Sequence, residues 1–490
     1  MTVIVHQAKL SRIPYLNSIV LAGKFFVHTC QKEVEIQMQN TMSLTSGSIG
    51  KVLIRFSVPF LLANLLQALY GAVDLLVVGQ FCGAASVSAV STGTQVTQII
   101  TSLISGMTLA GTILVGKYAG MKNTEKIEKT ISTTITFFAV FSVFLTILLI
   151  INIPGILRLL KTPEQAYSEA YSYIFICCLG IFFICEYNAL SAVLRGYGDS
   201  ISPLLFVAIA CVCNIAGDFL TVGILHMGAA GTAIATISSQ AISMLCAIIY
   251  LNRKKFIVRF SLKNLTLDRR ILKELIVIGI PISFQECMVR FSFLYLTSIT
   301  NGLGVFSSCA VGIASKYDVF AMLPATSIAN ALAALTAQNL GAGEQKRAAR
   351  FLKYGILIAL GCSLIFFIWA QAAPQTMIGL FSKDPDVIAA GIPFFRACSF
   401  DYLAVSVLFC INGYLNGSEK MLVTMVNCCF GALCIRVPLL YLLSHADVGS
   451  LIYYGCVSPL STLVMLAAAV VYLAVKVPTG GCEARRTCTQ

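Results

Sequence analysis

The sequence has little charge for a protein of its length. Asp, Glu, Lys and Arg make up only 11% of its 490 residues, whereas 58% are hydrophobic and the mean hydropathy is +0.86. Soluble domains typically carry about 25% charged residues. A soluble domain could not keep this much apolar side chain from water, so the composition excludes that class and indicates that the surrounding solvent is lipid.

Motifs for nucleotide-driven and histidine-based chemistry are also missing. The chain has no G-x-x-x-x-G-K-[ST] loop and no dinucleotide-binding glycine pattern on a strand. It has four histidines and no Ser/His/Asp arrangement. A membrane enzyme or sensor would need a catalytic constellation or a soluble domain, and the sequence shows neither. We therefore expect no enzyme activity and no cofactor. Without an ATP-binding motif, any uphill transport by this chain must use an ion gradient or a partner.

The nineteen cysteines do not indicate disulfides or a metal site. Most lie inside apolar stretches, as Cys177, Cys178, Cys428 and Cys429 do, where they behave as small hydrophobic residues. No pair has histidine partners at a zinc-ligand spacing. Free thiols are expected.

Long apolar stretches predict membrane-spanning helices, because each is longer than a barrel strand and can cross about 30 Å of hydrocarbon. The twelve predicted spans are 49–79, 84–115, 127–153, 168–195, 201–224, 228–252, 269–302, 305–336, 347–373, 387–415, 420–443 and 449–476. The predicted fold class is all-α integral membrane.

The second half of the chain repeats the first. Leu194 and Gly196 pair with Leu415 and Gly417 at an offset of 221 residues, and Pro59 pairs with Pro281 at 222. Six spans per half give two parallel-repeat six-helix lobes around a central cleft, as in secondary transporters. The predicted divisions are an N-terminal cytoplasmic tail or extension (1–47), an N-lobe (48–252), a cytoplasmic linker (253–268), a C-lobe (269–477) and a C-terminal tail (478–490).

The net charge of +13 is concentrated in alternate loops. The rich loops follow spans 2, 6 and 8, and their basic residues are Lys117, Lys122, Lys126, Lys129, Arg253, Lys254, Lys255, Arg259, Lys263, Arg269, Arg270, Lys273, Lys346, Arg347, Arg350 and Lys353. By the positive-inside rule these loops and both termini are cytoplasmic. The excess is an orientation signal in a cytoplasmic (inner) membrane, and no nucleic-acid partner is expected.

Charged side chains inside the predicted spans are costly unless they face a cavity or a partner. They are Asp74, Glu186, Asp218, Glu286, Arg290, Lys316, Asp318, Arg396, Asp401 and Arg436. Their number predicts a polar interior cavity, and the candidate substrate-cavity residues are Gln67, Tyr70, Gln240, Glu286, Lys316 and Asp401. For the residues of the second half, a structural ion pair such as Glu286 with Arg290 is the alternative.

Four residues of the first half predict a cation or proton site. Asp74 and Asp218 lie at similar depth in their spans, Asn214 precedes Asp218 by one helical turn, and Thr236 lies on the returning span. This oxygen-rich cluster suits Na⁺ or a shared proton, because two close carboxylates do not stay charged together. The alternative is two separate carboxylates, each with a local hydrogen bond.

Proline occurs at equivalent places in the two leading helices. Pro59 and Pro281 each remove a helix hydrogen bond and permit a bend. We predict that both act as hinges in a rocking or bending transporter, and a static kink is the alternative.

Several short motifs follow one another along the chain. They are FSVP at 56–59, ALYGAVD at 68–74, LRGYGDS at 194–200, N-x-x-x-D at 214–218, GTAIAT at 231–236 and AQNLGA at 337–342. In this order they resemble the multidrug and toxic compound extrusion (MATE) family of twelve-helix antiporters, from about residue 48 to 477. The resemblance implies export of organic, often cationic, compounds against inward Na⁺ or H⁺.

The resemblance also implies roles for single residues. Asp74 matches the N-lobe carboxylate, Asn214, Asp218 and Thr236 match further positions of the cation site, and Pro59 matches the proline tied to bending of span 1. The chain departs from branches with a span 7 glutamate near Val289, which argues against a C-lobe Na⁺ site.

We therefore predict a monomeric Na⁺- or H⁺-coupled antiporter that exports organic, mostly cationic, drugs or metabolites and contacts only lipid, ion and substrate. The alternative is a lipid-linked oligosaccharide flippase of related architecture. Four basic residues favour that alternative, namely Arg290, Lys316, Arg396 and Arg436.

Overall fold

The computed structural model describes residues 44–160, 162–253, 266–446 and 450–476, and within them all regular structure is helical. This confirms the predicted all-α class. Most of the predicted N-terminal tail, most of the linker and the C-terminal tail lie outside the described residues. The chain divides into two compact units, residues 1–276 and 277–490, called the N-unit and the C-unit below. The predicted division into lobes and tails stays a prediction.

In the described part of the N-unit, from residue 44 onward, there are seven helices and the start of an eighth. They are α1 (Ile49–Phe81), α2 (Ala84–Gly120), α3 (Thr124–Leu159), α4 (Glu164–Leu179), α5 (Ile181–Tyr197), α6 (Ile201–Asp218) and α7 (Gly228–Arg253). A π-helical segment, Phe219–Ile224, follows α6 directly. The boundary between the units lies inside α8 (Arg269–Asn301).

The C-unit continues from α8 with the same order of long helices. They are α9 (Val305–Gly341), α10 (Gln345–Ala372), the short α11 (Pro374–Gly379), α12 (Pro385–Gly417), α13 (Met421–Cys429), α14 (Val437–His445) and α15 (Leu451–Lys476). A π-helical segment, Phe430–Arg436, joins α13 to α14. The run from Met421 to His445 therefore forms one span.

Among the described residues, eleven helices are long and apolar enough to cross a membrane, and one bent pair brings the number to twelve. The pair is α4 and α5, which meet at Gly180 with a bend of 44°. A Cβ at Gly180 would collide with the side chain of Ile237, so glycine permits close approach of α7 at the bend. Pro59 and Pro281 instead lie inside α1 and α8, each assigned as one helix.

The internal repeat appears in how helices cross. A Cβ at Gly196 of α5 would strike the backbone carbonyl of Thr112 in α2, and a Cβ at Gly417 of α12 would strike that of Ala333 in α9. Both members of each contact are 221 residues from their counterparts. Each unit is thus built around the same glycine-mediated crossing.

Where the chain enters α8, it is tied to the start of α3. The amide of Thr266 donates to Ser132 Oγ at 2.6 Å and the amide of Asp268 donates to Thr133 Oγ1 at 3.0 Å. Asp268 then caps α8, and hydrogen bonds from the amides of Ile271 and Arg270 hold the pKa of its carboxyl below the usual value.

A close contact between α6 and α7 positions the candidate site. A Cβ at Gly217 would touch Ala235, and the Thr221 hydroxyl donates to the carbonyls of both Gly217 and Gly231 at 2.9 Å. These contacts hold the end of α6 and its π-helical continuation against α7. Such π-helical segments often occur at functional sites.

Candidate cation site in the N-unit

The structure brings together the four residues that the sequence proposed as a cation site. Asp74 is 6% exposed on α1, while Asn214 and Asp218 are fully buried one turn apart on α6. Thr236 of α7 lies between them: its hydroxyl donates to Asp74 Oδ2 at 3.4 Å and accepts from the Asn214 amide nitrogen, also at 3.4 Å. Both hydrogen bonds are long and therefore weak, although the four residues lie close together.

The carboxylates of Asp74 and Asp218 lie within electrostatic reach of each other. Asp74 Oδ1, Asn214 Oδ1 and both carboxylate oxygens of Asp218 are buried without any hydrogen-bond donor. Buried polar atoms are normally paired, and leaving a charged one unpaired is expensive. A cation or a proton would compensate these four unpaired acceptor oxygens.

The donor set indicates which positive charge would fit. Carboxylate, amide and hydroxyl oxygens are hard ligands that suit Na⁺ or a proton better than a thiophilic metal. Among the described residues, no three His, Cys, Asp or Glu side chains come together as a metal site. The geometry thus fits the chemistry proposed from the sequence, and the role of these residues stays a prediction.

The three N-unit residues proposed for the substrate cavity differ in their surroundings. Tyr70 lies one turn before Asp74 on α1 and beside Gln240 of α7, and both are half-buried. Gln67 is exposed. Tyr70 and Gln240 therefore border the cluster on one side.

The three C-unit residues proposed for the cavity are not gathered into one cluster. Asp401 is 3% exposed on α12, Glu286 is half-buried on α8, and Lys316 is exposed on α9. Glu286 and Arg290 form no ion pair within 4.0 Å in the described part of the chain, and Arg290 is exposed. The alternative of a close ion pair between these two residues is therefore not seen, although Arg290 lies within electrostatic reach of Glu286.

The structure shows a second buried polar cluster that the sequence did not assemble. The Arg436 guanidinium donates to Ser292 Oγ at 3.0 Å and lies 4.3 Å from the centre of the Phe293 ring. Asp401 lies beside Thr462, and the Tyr402 hydroxyl donates to Asp318 Oδ1 at 2.9 Å. The sequence flagged the charged members but did not connect them to these neighbours, which lie on three different helices, α8, α12 and α15.

Long apolar helices built as two copies, with polar side chains buried inside them, define a membrane transporter. The sequence model of the MatE family matches residues 59–220 and again residues 281–442. The two matches begin 222 residues apart and together cover more than half of the chain. The chain belongs to the MatE family of multidrug efflux transporters.

Two curated relatives and one solved structure resemble the chain over most of its length. The probable multidrug resistance protein YpnP of Bacillus subtilis (strain 168) is 29% identical over 403 residues, which cover 82% of this chain and 89% of that protein. The probable multidrug resistance protein YoeA of the same strain is 28% identical over 416 residues, covering 83% and 89%.

The solved structure is that of another protein, the outward-facing conformation of a multidrug resistance MATE family transporter of the MOP superfamily. It superposes with a TM-score of 0.81 at 20% identity and covers 88% of this chain and 96% of that one. This likeness shows the fold.

Proposed function

We propose that this protein is a cation-coupled antiporter that exports organic cations in exchange for Na⁺ or H⁺. The observation that carries the proposal is the buried pair Asp74 and Asp218, whose unpaired oxygens demand positive charge. Two relatives are named as probable multidrug resistance proteins, which supports an organic substrate.

Competition between the coupling ion and the organic cation for the negative charge of Asp74 and Asp218 would couple import of the ion to export of the substrate. A buried carboxylate pair costs free energy unless a cation or proton neutralises it. Either the coupling ion or the positive charge of the substrate can do so, and each lowers the affinity for the other. An ion arriving from outside would then favour release of the substrate, and a substrate arriving from the cytoplasm would favour release of the ion.

Single side chains have distinct parts in this scheme. Asp218, fully buried at the end of α6, supplies charge that solvent does not screen. Thr236 holds the Asp74 carboxylate toward Asn214. Tyr70 and Gln240 would contact the organic substrate at the edge of the cluster.

The proposed orientation places the basic helix ends in the cytoplasm. Lys117 and Lys126 at the junction of α2 and α3, Arg253 at the end of α7 and Arg270 at the start of α8 are examples. The positive-inside rule then places both termini in the cytoplasm and the protein in the cytoplasmic membrane. We propose that it works as a monomer.

Transport into proteoliposomes tests the proposal. Ethidium movement would be measured with a Na⁺ gradient and, separately, with a proton gradient, for the wild type and for Asp74→Asn. We expect one gradient to drive ethidium transport in the wild type and the asparagine variant to lose it. Gradient-driven transport that persists at the wild-type rate in Asp74→Asn would contradict the proposal.

A matched control separates the site from charge removal in general. Asp386 is an exposed acid in the first turn of α12, so Asp386→Asn should transport like the wild type. A thermal unfolding measurement of each variant verifies that lost transport does not reflect lost folding.

The flippase alternative depended on basic residues for a pyrophosphate group. Arg436, one of the four, is 3% exposed and is engaged by Ser292 and Phe293 inside the C-unit. The other three basic residues, Arg290, Lys316 and Arg396, are exposed, and the flippase stays the alternative. The buried acids of the N-unit carry the preference for the antiporter.

A further inference from the structure

The C-unit contains a counterpart of the N-unit cation site with its chemistry changed. At the 222-residue offset of the two family matches, Asn214 corresponds to Arg436 and Tyr70 to Ser292. If this offset is carried on into the last helix, Gln240 corresponds to Thr462. All three C-unit residues belong to the buried polar cluster described above. The repeat therefore places both clusters at one equivalent position.

The acids of the N-unit site have no acidic counterpart at this offset. Asp74 corresponds to Leu296 and Asp218 to Leu440, which are buried together in one hydrophobic cluster of the C-unit. Acids reach the C-unit cluster from other helices, Asp401 from α12 and Asp318 from α9. The C-unit cluster therefore also contains two acids, at other positions than in the N-unit, and it contains the guanidinium of Arg436 in addition.

The guanidinium of Arg436 acts on both acids. It is within electrostatic reach of Asp401 and Asp318, yet none of its nitrogens lies within 4.0 Å of a carboxylate oxygen in the described residues. Arg436 Nε and Asp401 Oδ1 are both buried without a hydrogen-bond partner. The Arg436 guanidinium is thus a fixed positive charge near two carboxylates, and it does not form a bidentate ion pair with either of them.

We propose that Arg436 is the permanent counter-cation of Asp401 and Asp318, fixed at the position where the N-unit leaves room for an exchangeable cation. The C-unit is then an internally neutralised copy of the ion site, and only the N-unit exchanges an ion. The statement on ion exchange rests on the antiport proposed above. The counter-charge role of Arg436 does not, because its test measures stability alone.

A double-mutant cycle tests the counter-charge. Arg436→Met, Asp401→Asn and the double variant would be purified in detergent and their unfolding temperatures compared with the wild type. We expect Arg436→Met to lower Tm by several degrees and the added Asp401→Asn to recover most of that loss, because the uncompensated carboxylate is then gone. A double variant at least as unstable as the two losses combined would overturn the proposal, since Arg436 would then act by packing on Phe293.

Chemical rescue tests whether the position can hold a mobile cation. Methylguanidinium or Na⁺, at constant ionic strength against choline, should raise the Tm of Arg436→Met and leave that of the double variant unchanged. Recovery by Asp401→Asn with no response to either cation would contradict that part of the proposal. Should Arg436→Met fail to fold, folding of the double variant alone supports the counter-charge, and failure of both variants overturns it.

Arg350→Met is the matched control. Arg350 of α10 is exposed and forms no ion pair with a described acid, so its loss should leave Tm unchanged. A loss of Tm in Arg350→Met that Asp401→Asn recovers would show that any positive charge in the C-unit suffices, against a specific role for Arg436.

Discussion

At the scale of single residues, Thr236 connects the N-unit site. Its hydroxyl donates to Asp74 and accepts from Asn214, so one oxygen orders an amide and a carboxylate. We predict that Thr236→Val, which keeps the shape and removes the hydroxyl, weakens ion affinity by about 1–3 kcal/mol, roughly 5- to 150-fold. The measurement is the ion concentration that gives half-maximal transport.

Thr236→Ser is the control for this prediction, because it keeps the hydroxyl and should retain an affinity near that of the wild type. An unchanged half-maximal concentration in Thr236→Val would show that the hydroxyl does not order the site.

Local spacing predicted the N-unit residues because they sit one turn apart or at similar depth in neighbouring spans. Asn214 and Asp218 share a helix face. Asp74 and Asp218 lie at similar depth because spans 1 and 5 both run outward, and Thr236 lies on the span that returns. The partners of Asp318 and Asp401 could not be found in this way. Tyr402 and Thr462 lie on helices whose rotation is set by tertiary packing, and no sequence spacing links them to their neighbours.

At the scale of helices, glycine determines two crossings. The carbonyls of Thr112 and Ala333 occupy the space that a Cβ at Gly196 or Gly417 would need. We predict that Gly196→Ala and Gly417→Ala each destabilise the protein by about 1–3 kcal/mol, because backbone must move apart. Thermal unfolding in detergent measures the effect.

Gly361 of α10 provides the comparison, since a Cβ there meets nothing within 4 Å. Gly361→Ala should be neutral or slightly stabilising, as expected for alanine in a helix. Equal stability of all three alanine variants would mean that the two crossings are not tightly packed.

The length and number of helices followed from apolar runs, but their irregularities did not. The sequence predicted one span over 168–195, whereas the structure bends this region by 44° at Gly180. A glycine inside an apolar run does not reveal whether a neighbouring helix approaches it. The hinge role of Pro59 and Pro281 stays a prediction, because each lies within a helix assigned as continuous.

At the scale of the whole molecule, duplication was the most informative property of the sequence. The offsets of 221 and 222 residues read from Leu194, Gly196 and Pro59 agree to within one residue with the two family matches. They also agree with the equivalent glycine contacts in both units. Duplication of the fold did not bring duplication of the chemistry. The N-unit gathers buried acids with unpaired oxygens, whereas the C-unit has Arg436 within electrostatic reach of acids that come from other helices.

The most direct test of the proposed antiport is the release of the coupling ion when substrate binds. Purified protein in detergent, loaded with ²²Na⁺ or held in weakly buffered solution with a pH indicator, would be mixed with ethidium. We predict that the wild type releases one of the two ions and that an Asp74→Asn/Asp218→Asn variant releases neither. Ethidium binding without release of either ion, or equal release from the double variant, would contradict a shared site at Asp74 and Asp218.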